Sequence, residues 1–180
     1  MRIYTRRGDD GTTGLFLGGR VGKDATGPAA YGTVDEAVSH LGVARSLAEG
    51  DVAEVVLAIQ RELFVVAAEL ATDPAQRLRL EPGISLVEAS MIDEMEQRID
   101  RIEADVGMPT EFVVPGGDPV AAAIDVARTV VRRAERAAVA HVATETESLV
   151  VPYLNRLADF LYMLARAVER EWTSTRGDAR

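Results

Sequence analysis

Three arginines recur at positions i, i+4 and i+8, which places Arg128, Arg132 and Arg136 on one face of a predicted helix. Like charges stacked at this spacing each destabilise a helix by about 0.2–0.5 kcal/mol unless negative charge lies against them. A bound anion such as a phosphate group would supply that charge. Salt bridges to Asp125 and Glu135 on a solvated helix face would supply part of it equally well. The spacing alone leaves both interpretations open.

A glycine-rich segment near the start of the chain also has the composition of an anion site. Residues 8–14 contain three glycines, and glycine permits the tight turns that direct several backbone N–H groups toward one phosphate. The segment is not a P-loop, because the Gly-Lys-Ser/Thr sequence is missing. A hairpin with Asp10 and Gly11 at its tip explains the same composition. Phosphate binding and a plain hairpin are therefore both compatible with the sequence.

Lys23 follows this segment and is the only lysine in the chain, the other 19 basic residues being arginines. A lysine ammonium binds phosphate as a compact point charge, whereas a guanidinium is bulkier. The position favours a phosphate contact for Lys23, and a surface lysine without a role is the alternative.

Positive charge is concentrated in two regions that are far apart in sequence. The first 25 residues carry a net charge of +2 and residues 128–136 carry +3, although the whole chain carries −9. If the fold brings the two regions together, they form an anion site. The negative charge of the rest argues against a nucleic-acid-binding surface, which carries an excess of Lys and Arg.

The chain contains no cysteine and only two histidines, His40 and His141. Disulfides, thiolate metal sites and cysteine nucleophiles are therefore excluded. The histidines are not spaced as a metal-binding pair, so each is predicted to lie at the surface or to pack between helices. The sequence names no set of protein ligands for a metal.

The last predicted helix places Asn155 and Asp159 one turn apart, with Arg166 two turns further along a neighbouring line. On an amphipathic helix such residues usually form the solvent face. They belong to a site only if this face meets the arginine helix. The lone tryptophan, Trp172, is predicted to pack or to cap an interface.

The elements that must position these residues are predicted to be helices. A chain of 180 residues that is 47% hydrophobic has the size and apolar content of one domain, and its 5% of aromatic residues favours an all-α fold. Helical periodicity and capping signals predict an ordered arm of residues 1–32, a five-helix bundle over 33–173 and a frayed tail over 174–180. The predicted helices start at Thr33, Asp51, Ser85, Asp118 and near Pro152, and the later four end near Asp73, Gly107, His141 and Val168.

The sequence shows no apolar signal region at its start and no stretch that is long and uncharged enough to span a bilayer. We therefore expect a soluble cytoplasmic protein with no membrane partner.

The segments described above occur in the order found in the PduO-type ATP:corrinoid adenosyltransferases, and the chain resembles that family. The resemblance is carried by residues 4–14 with 20–24, 31–36, 112–117 with 127–128, and 132–136 with 153–157. These segments span nearly the whole chain. Two departures stand out: Arg6-Arg7 replaces a more common Lys-Thr, and Ile124-Asp125 replaces a common Leu-His.

The resemblance implies a ferritin-like five-helix bundle that assembles as a homotrimer and binds ATP with Mg²⁺ between neighbouring subunits, with the corrinoid above the ATP. In that family the N-terminal arm wraps the triphosphate. The ATP-binding positions that carry over are Thr5, Arg6, Arg7, Gly8, Thr13, Gly14 and Lys23 from the arm, Arg132, Arg133, Ala134, Glu135 and Arg136 from helix four, and Asn155 from helix five.

The resemblance also implies roles outside nucleotide binding. Asp35 and Arg128 match a pair that forms a salt bridge across the subunit boundary. Phe112 is expected to fill the lower face of the corrinoid in place of an axial ligand, which favours a four-coordinate Co(II) that is easily reduced; ordinary packing under a loop is the alternative. Arg128, Arg132 and Phe112 are the expected catalytic residues.

The implied reaction transfers the 5′-deoxyadenosyl group of ATP to the cobalt of cob(I)alamin, giving adenosylcobalamin and tripolyphosphate. Because Co(I) is the nucleophile, the protein needs no general base. A reductase and an adenosylcobalamin-dependent acceptor enzyme are the expected protein partners. The alternatives are a nucleotide-binding regulatory helical trimer without corrinoid chemistry and a plain helical interaction bundle.

Overall fold

A computed structural model describes residues 3–142 and 147–176. Residues 3–25 form the N-terminal arm, which contains an antiparallel hairpin of β1 (Thr12–Gly14) and β2 (Arg20–Gly22). The tip of this hairpin is residues 15–19 and not Asp10-Gly11, because Gly18 and Gly19 supply the positive φ angles of the turn, 102° and 88°.

Five α-helices follow the arm in the described part of the chain. They are α1 (Thr26–Leu47), α2 (Gly50–Leu70), α3 (Ala89–Val106), α4 (Pro119–His141) and α5 (Val150–Glu169). A short 3-10 helix, Pro74–Arg79, lies between α2 and α3. The predicted all-α fold with five helices is confirmed.

One core joins the five helices. Helix α1 packs against α2 and α4, while α5 packs against α4 and α3. Burying each large aliphatic side chain of this core stabilises the fold by about 1.5–3 kcal/mol. Its fully buried members include Leu41, Ile59, Leu63, Ile124, Leu157 and Leu161. None of the described helices is both long and apolar enough to cross a membrane.

Helix α1 begins at Thr26, seven residues before the predicted start at Thr33. The Thr33 hydroxyl does not cap a helix but donates a 2.7 Å hydrogen bond to the carbonyl one turn back. Pro28 is tolerated because the first turn needs no N–H from it. Glycine at position 27 relieves a tight contact, because a Cβ there would lie 3.0 Å from Cε1 of His141. The predicted boundary between arm and bundle at residue 32 therefore lies instead at residue 25.

Local hydrogen bonds set the start of α4 and exclude the predicted start of α3. Asp118 caps α4 as predicted, accepting hydrogen bonds of 2.8 and 3.0 Å from two backbone N–H groups of the first turn. Ser85 does not start α3, because its hydroxyl accepts a 3.0 Å hydrogen bond from the backbone N–H of Glu81 in the preceding turn. Helix α3 starts at Ala89 instead, and α5 starts at Val150.

The segment after α5 is attached to the bundle as far as it is described. Trp172 caps α5 by donating a 3.1 Å hydrogen bond to the carbonyl of Arg166. Ser174 forms an antiparallel β-bridge with Val113. The prediction that fraying begins at residue 174 was therefore wrong, because the chain turns back beside the connector between α3 and α4. The remainder of that predicted tail, 177–180, lies outside the described residues.

Candidate active site

Helices α3, α4 and α5 border an open cavity of about 340 Å³. Arg128 and Arg132 line it from α4, and Asp159 lines it from α5 together with apolar side chains. The polar face of the last helix therefore meets the arginine helix, which was the condition for treating it as part of a site. The cavity therefore places arginine side chains and the Asp159 carboxylate beside apolar side chains.

The three stacked arginines differ in how their charge is compensated. Arg128 Nε donates a 3.1 Å hydrogen bond to Asp125 Oδ1, and Arg136 Nη1 donates a 2.8 Å hydrogen bond to the carbonyl of Arg132. The side chain of Arg132 is exposed and has no hydrogen bond or ion pair among the described residues. Intrahelical salt bridges therefore explain Arg128 alone, and Arg132 presents an uncompensated cation at the cavity.

The residues that follow Arg132 face different neighbours. Asn155 Nδ2 donates a 3.0 Å hydrogen bond to Glu135 Oε1, which links α5 to α4. Arg133 pairs with Glu36 of α1. Ala134 is fully buried in the core. This position faces the inside of the bundle, and the assignment of Ala134 to the nucleotide site stays a prediction.

The basic residues of the arm hold its glycine-rich loop. Lys23 Nζ donates a 2.8 Å hydrogen bond to the carbonyl of Gly8, and Arg20 Nη2 donates a 2.6 Å hydrogen bond to the carbonyl of Arg7. A Cβ on Gly8 would lie 3.2 Å from the Lys23 ammonium, so glycine allows this close approach. Two of the three ammonium protons of Lys23 remain for another acceptor.

The other arm residues predicted to bind ATP lie on the same loop and hairpin. Thr5 Oγ1 accepts a 3.4 Å hydrogen bond from the backbone N–H of Arg7. Arg6 has a φ of 60°, a left-handed conformation that stores about 1–3 kcal/mol of strain in a residue with a Cβ and tends to occur at binding sites. Thr13 and Gly14 lie in β1.

Asp10 organises the turn that leads into β1. Its Oδ1 accepts hydrogen bonds from the backbone N–H and the hydroxyl of Thr12, at 2.9 and 2.8 Å. These bonds, with the positive charge of Arg20 at 3.7 Å, lower the pKa of Asp10 below its usual value. The conformation of this loop therefore depends on charged residues of the arm itself.

The arm and the arginine cavity do not meet within one chain. No residue of the arm lines the cavity that contains Arg128 and Arg132. The hairpin tip is tied instead to the end of α2, where the backbone N–H of Phe16 donates a 2.8 Å hydrogen bond to the carbonyl of Ala71. In the described residues of one chain the two basic regions are therefore separate.

Asp35 and Arg128 were expected to form a salt bridge across the subunit boundary. Asp35 is exposed on α1, and the ion pair of Arg128 is with Asp125 on its own helix. Within residues 3–142 and 147–176, no ion pair joins Asp35 to Arg128. The described chain gives the Asp35 carboxylate no partner.

Phe112 projects from the connector between α3 and α4. It is 84% exposed and borders two cavities, of about 310 and 230 Å³, that share residues 109–112. Packing under a loop therefore does not account for the ring. The backbone around it is fixed, because Thr175 N–H donates to the carbonyl of Phe112 at 3.0 Å and Val114 N–H donates to the carbonyl of Thr173 at 2.8 Å.

A buried ionic cluster beneath the cavity was not assigned from the sequence. Arg166 is only 1% exposed and pairs with Asp125 and Glu169. The ring of Tyr162 lies 5.8 Å from the guanidinium carbon of Arg128 and 5.4 Å from that of Arg166. The position of Arg166 beside the line of Asn155 and Asp159 indicated a solvent-facing residue, whereas the structure buries it against acidic partners, which a buried arginine requires.

Comparison with known proteins places the chain in a family. The family model for cobalamin adenosyltransferase matches residues 3–168. The corrinoid adenosyltransferase of Citrobacter freundii is 44% identical over 170 residues, covering 93% of this chain and 95% of the relative. That of Mycobacterium tuberculosis (strain ATCC 25618 / H37Rv) is 43% identical, covering 92% of this chain and 87% of the relative.

Solved structures agree with the sequence comparison. A variant PduO-type ATP:corrinoid adenosyltransferase from Lactobacillus reuteri, complexed with cobalamin and ATP, superposes with a TM-score of 0.87 and 31% identity, covering 98% of this chain and 100% of that one. A second variant of the same enzyme, complexed with ATP, superposes with a TM-score of 0.81 and 34% identity, covering 93% and 94% of the two chains. With matches over the arm and the bundle alike, the chain belongs to the cobalamin adenosyltransferase family.

Proposed function

We propose that this chain, a corrinoid adenosyltransferase by family, transfers the 5′-deoxyadenosyl group of ATP to the cobalt of cob(I)alamin. A cobalt–carbon bond forms with the electron pair of Co(I). The bond between C5′ and the triphosphate oxygen breaks, and tripolyphosphate leaves with the electron pair of that broken bond. Because the corrinoid supplies the nucleophile, the protein has to align the cobalt with C5′ and neutralise the charge that grows on the leaving group.

Arg132 carries this proposal. It is an exposed guanidinium at the cavity, without a hydrogen bond or ion pair in the described part of the chain. In our assignment Arg132 contacts the triphosphate and Arg128 lies next to it. Arg136 and Glu135 border the nucleotide further along α4, with Glu135 oriented by its 3.0 Å hydrogen bond from Asn155.

The arm completes the site of a neighbouring subunit in this proposal. The triphosphate is wrapped by the arm residues already named, with the Lys23 ammonium as the point charge. The support is that no arm residue lines the arginine cavity of its own chain. Such a head-to-tail arrangement closes into a ring when the rotation between subunits completes a full turn, and we propose a homotrimer with Asp35 of one subunit paired to Arg128 of the next.

Phe112 provides the lower face of the corrinoid site in this assignment. A phenyl ring excludes water and offers cobalt no ligand, so it favours the four-coordinate Co(II) that a weak reductant converts to Co(I). The 84% exposure of Phe112 on a fixed backbone supports this role, because an apolar ring facing solvent is available to cover a ligand.

The metal and the protein partners complete the proposal. In the described residues no group of three or more acidic or histidine side chains could hold a metal ion; in this proposal Mg²⁺ enters with ATP and is bound by its phosphate oxygens. The Co(I) state requires a reductase, and the product requires an adenosylcobalamin-dependent acceptor enzyme. We place the reaction in the cytoplasm, where ATP is supplied.

An anaerobic assay with ATP and chemically reduced cobalamin tests the proposed function. We expect the absorbance to change to that of adenosylcobalamin, with release of tripolyphosphate. ATP binding without any corrinoid conversion would instead identify a nucleotide-binding regulatory protein. A melting temperature that ATP leaves unchanged would favour a plain interaction bundle, because a ligand that binds only the folded state must stabilise it.

A further inference from the structure

Asp125 is a buried carboxylate held between two guanidinium groups. It is 4% exposed, its Oδ1 accepts a 3.1 Å hydrogen bond from Arg128 Nε, and its Oδ2 accepts a hydrogen bond from Arg166 Nη2. The same Arg166 nitrogen lies 3.3 Å from Glu169 Oε2. Two carboxylates therefore face two arginines, and the cluster is balanced in charge.

The hydrogen bond to Asp125 determines the direction of the Arg128 side chain. A guanidinium is planar and carries its donors in a fixed fork, so holding Nε sets the direction of both Nη groups. The ring of Tyr162, 5.8 Å from the guanidinium carbon, covers one side of the group. Neither Nη group of Arg128 has a protein partner among the described residues. Both are available at the cavity that Arg128 lines.

We propose that Asp125 is a positioning residue, which holds Arg128 so that its two Nη groups point toward the anionic groups assigned to this cavity, Asp35 of the neighbouring subunit and the triphosphate, while Arg166 holds Asp125. This inference rests on the proposed function. The cluster also reaches the connector that carries Phe112, because Glu169 Oε1 accepts a 3.0 Å hydrogen bond from the backbone N–H of Gly117. The same ionic cluster thus links Arg128 to the connector that carries Phe112.

A purely structural role for Asp125 makes a different prediction. Removing its charge leaves Arg166 with one acidic partner in the protein interior, and this destabilises the fold whether or not Arg128 has a function. This loss of stability would be the same whether residue 128 is arginine or alanine. A positioning role acts only through Arg128, so its kinetic effect disappears once Arg128 is removed.

A double-mutant cycle separates the two roles. The variants are Asp125→Asn, Arg128→Ala and the double variant, with kcat/KM for ATP measured under saturating reduced cobalamin at a temperature where all three remain folded. We expect Asp125→Asn to lower kcat/KM by about tenfold in the wild-type background and by less than about twofold in the Arg128→Ala background. Equal losses in the two backgrounds would overturn the proposal.

Two further variants complete the design. The control is Asp105→Asn, which removes an exposed carboxylate that lies 3.3 Å from Arg170 and should leave kcat/KM unchanged. If Asp125→Asn does not fold, Arg128→Lys tests the same idea, because its ammonium has no Nε to orient and would be drawn to Asp125. We expect Arg128→Lys to lose as much activity as Arg128→Ala, and near-normal turnover would overturn the proposal.

A wild-type chain that adenosylates no cobalamin would refute the proposed function, whereas an active wild type with an unaffected Asp125→Asn variant would refute only this inference.

Discussion

The hydroxyl of Tyr153 on α5 donates a 2.7 Å hydrogen bond to Oε2 of Glu62 on α2. Tyr153 is fully buried. Burial raises the pKa of Glu62 by more than the hydrogen bond from Tyr153 and the charge of Arg98 lower it. Burial also raises the pKa of Tyr153, so its hydroxyl remains a donor. This link between two helices consequently depends on pH through the carboxyl group.

Glu62→Gln should change the pH dependence of stability. A group whose pKa is raised on folding stabilises the protein below its unfolded pKa, and this contribution is lost as pH rises through the raised value. Glutamine keeps an acceptor for Tyr153 and carries no charge. The melting temperature of Glu62→Gln minus that of the wild type should therefore increase between about pH 4 and about pH 7. Glu54→Gln, at an exposed position of the same helix, is the control, and a difference that stays constant across this range would contradict the prediction.

Arg132→Ala should lower ATP affinity or turnover without lowering stability. The guanidinium is exposed and lacks a partner among the described residues, so its removal breaks no internal contact. Loss of one charge-assisted hydrogen bond costs about 1.5–3 kcal/mol, or roughly ten- to a hundredfold. Steady-state kinetics and a thermal melt measure the two effects, with Arg45→Ala as a surface control. Unchanged kinetics would remove Arg132 from the phosphate site.

Mixed oligomers of two inactive variants should regain activity if the site is shared. Lys23→Ala damages the arm and Arg132→Ala damages the cavity, so an interface between an intact arm and an intact cavity forms only in a mixture. With equal mixing, about a quarter of the sites in a head-to-tail ring are intact. The two variants are denatured together, refolded and assayed, with each refolded alone as control. No recovery, or a mass near 19.4 kDa by light scattering, would contradict the shared site.

Phe112→Ala should separate activity from stability. The ring is 84% exposed, so its loss creates no cavity and should leave the melting temperature and the ATP affinity close to those of the wild type. Adenosylation of cob(II)alamin supplied with a reductant should fall severely, because water regains access to the lower face of cobalt. A variant that melts early yet keeps its turnover at low temperature would show that the ring is structural.

Local sequence signals predicted those elements whose ends are formed by neighbouring residues. Asp118 followed by proline gave the start of α4 correctly, because the cap and the capped N–H groups lie within three residues. The start of α1 was missed, because Gly27 and Pro28 resemble a loop. Only the packing of His141, more than a hundred residues away, explains why glycine occupies a helical position there.

The site was predictable from the sequence in composition but not in contacts. The order of motifs gave the family and named the residues of the arm, of α4 and of the connector. It also included Ala134, although the position of that residue on α4 places it in the core. The cluster of Asp125 and Arg166 depends on two helices meeting, a distance of 41 residues in sequence, which no local pattern encodes.

The attachment of the hairpin limits how far the arm can reach. Its tip is bonded to the end of α2, and the next helix begins beside His141, whose Nε2–H donates to the carbonyl of Leu70 at 3.1 Å while its Nδ1 lies 3.1 Å from the Thr26 hydroxyl. Three helix ends therefore hold the base of the arm. The described residues before the hairpin, 3–11, span at most about 30 Å when fully extended. In the proposed assembly a nucleotide bound by residues 5–8 therefore lies within about 30 Å of the hairpin, so the length of this segment, as well as the faces of the helices, limits the spacing between neighbouring subunits.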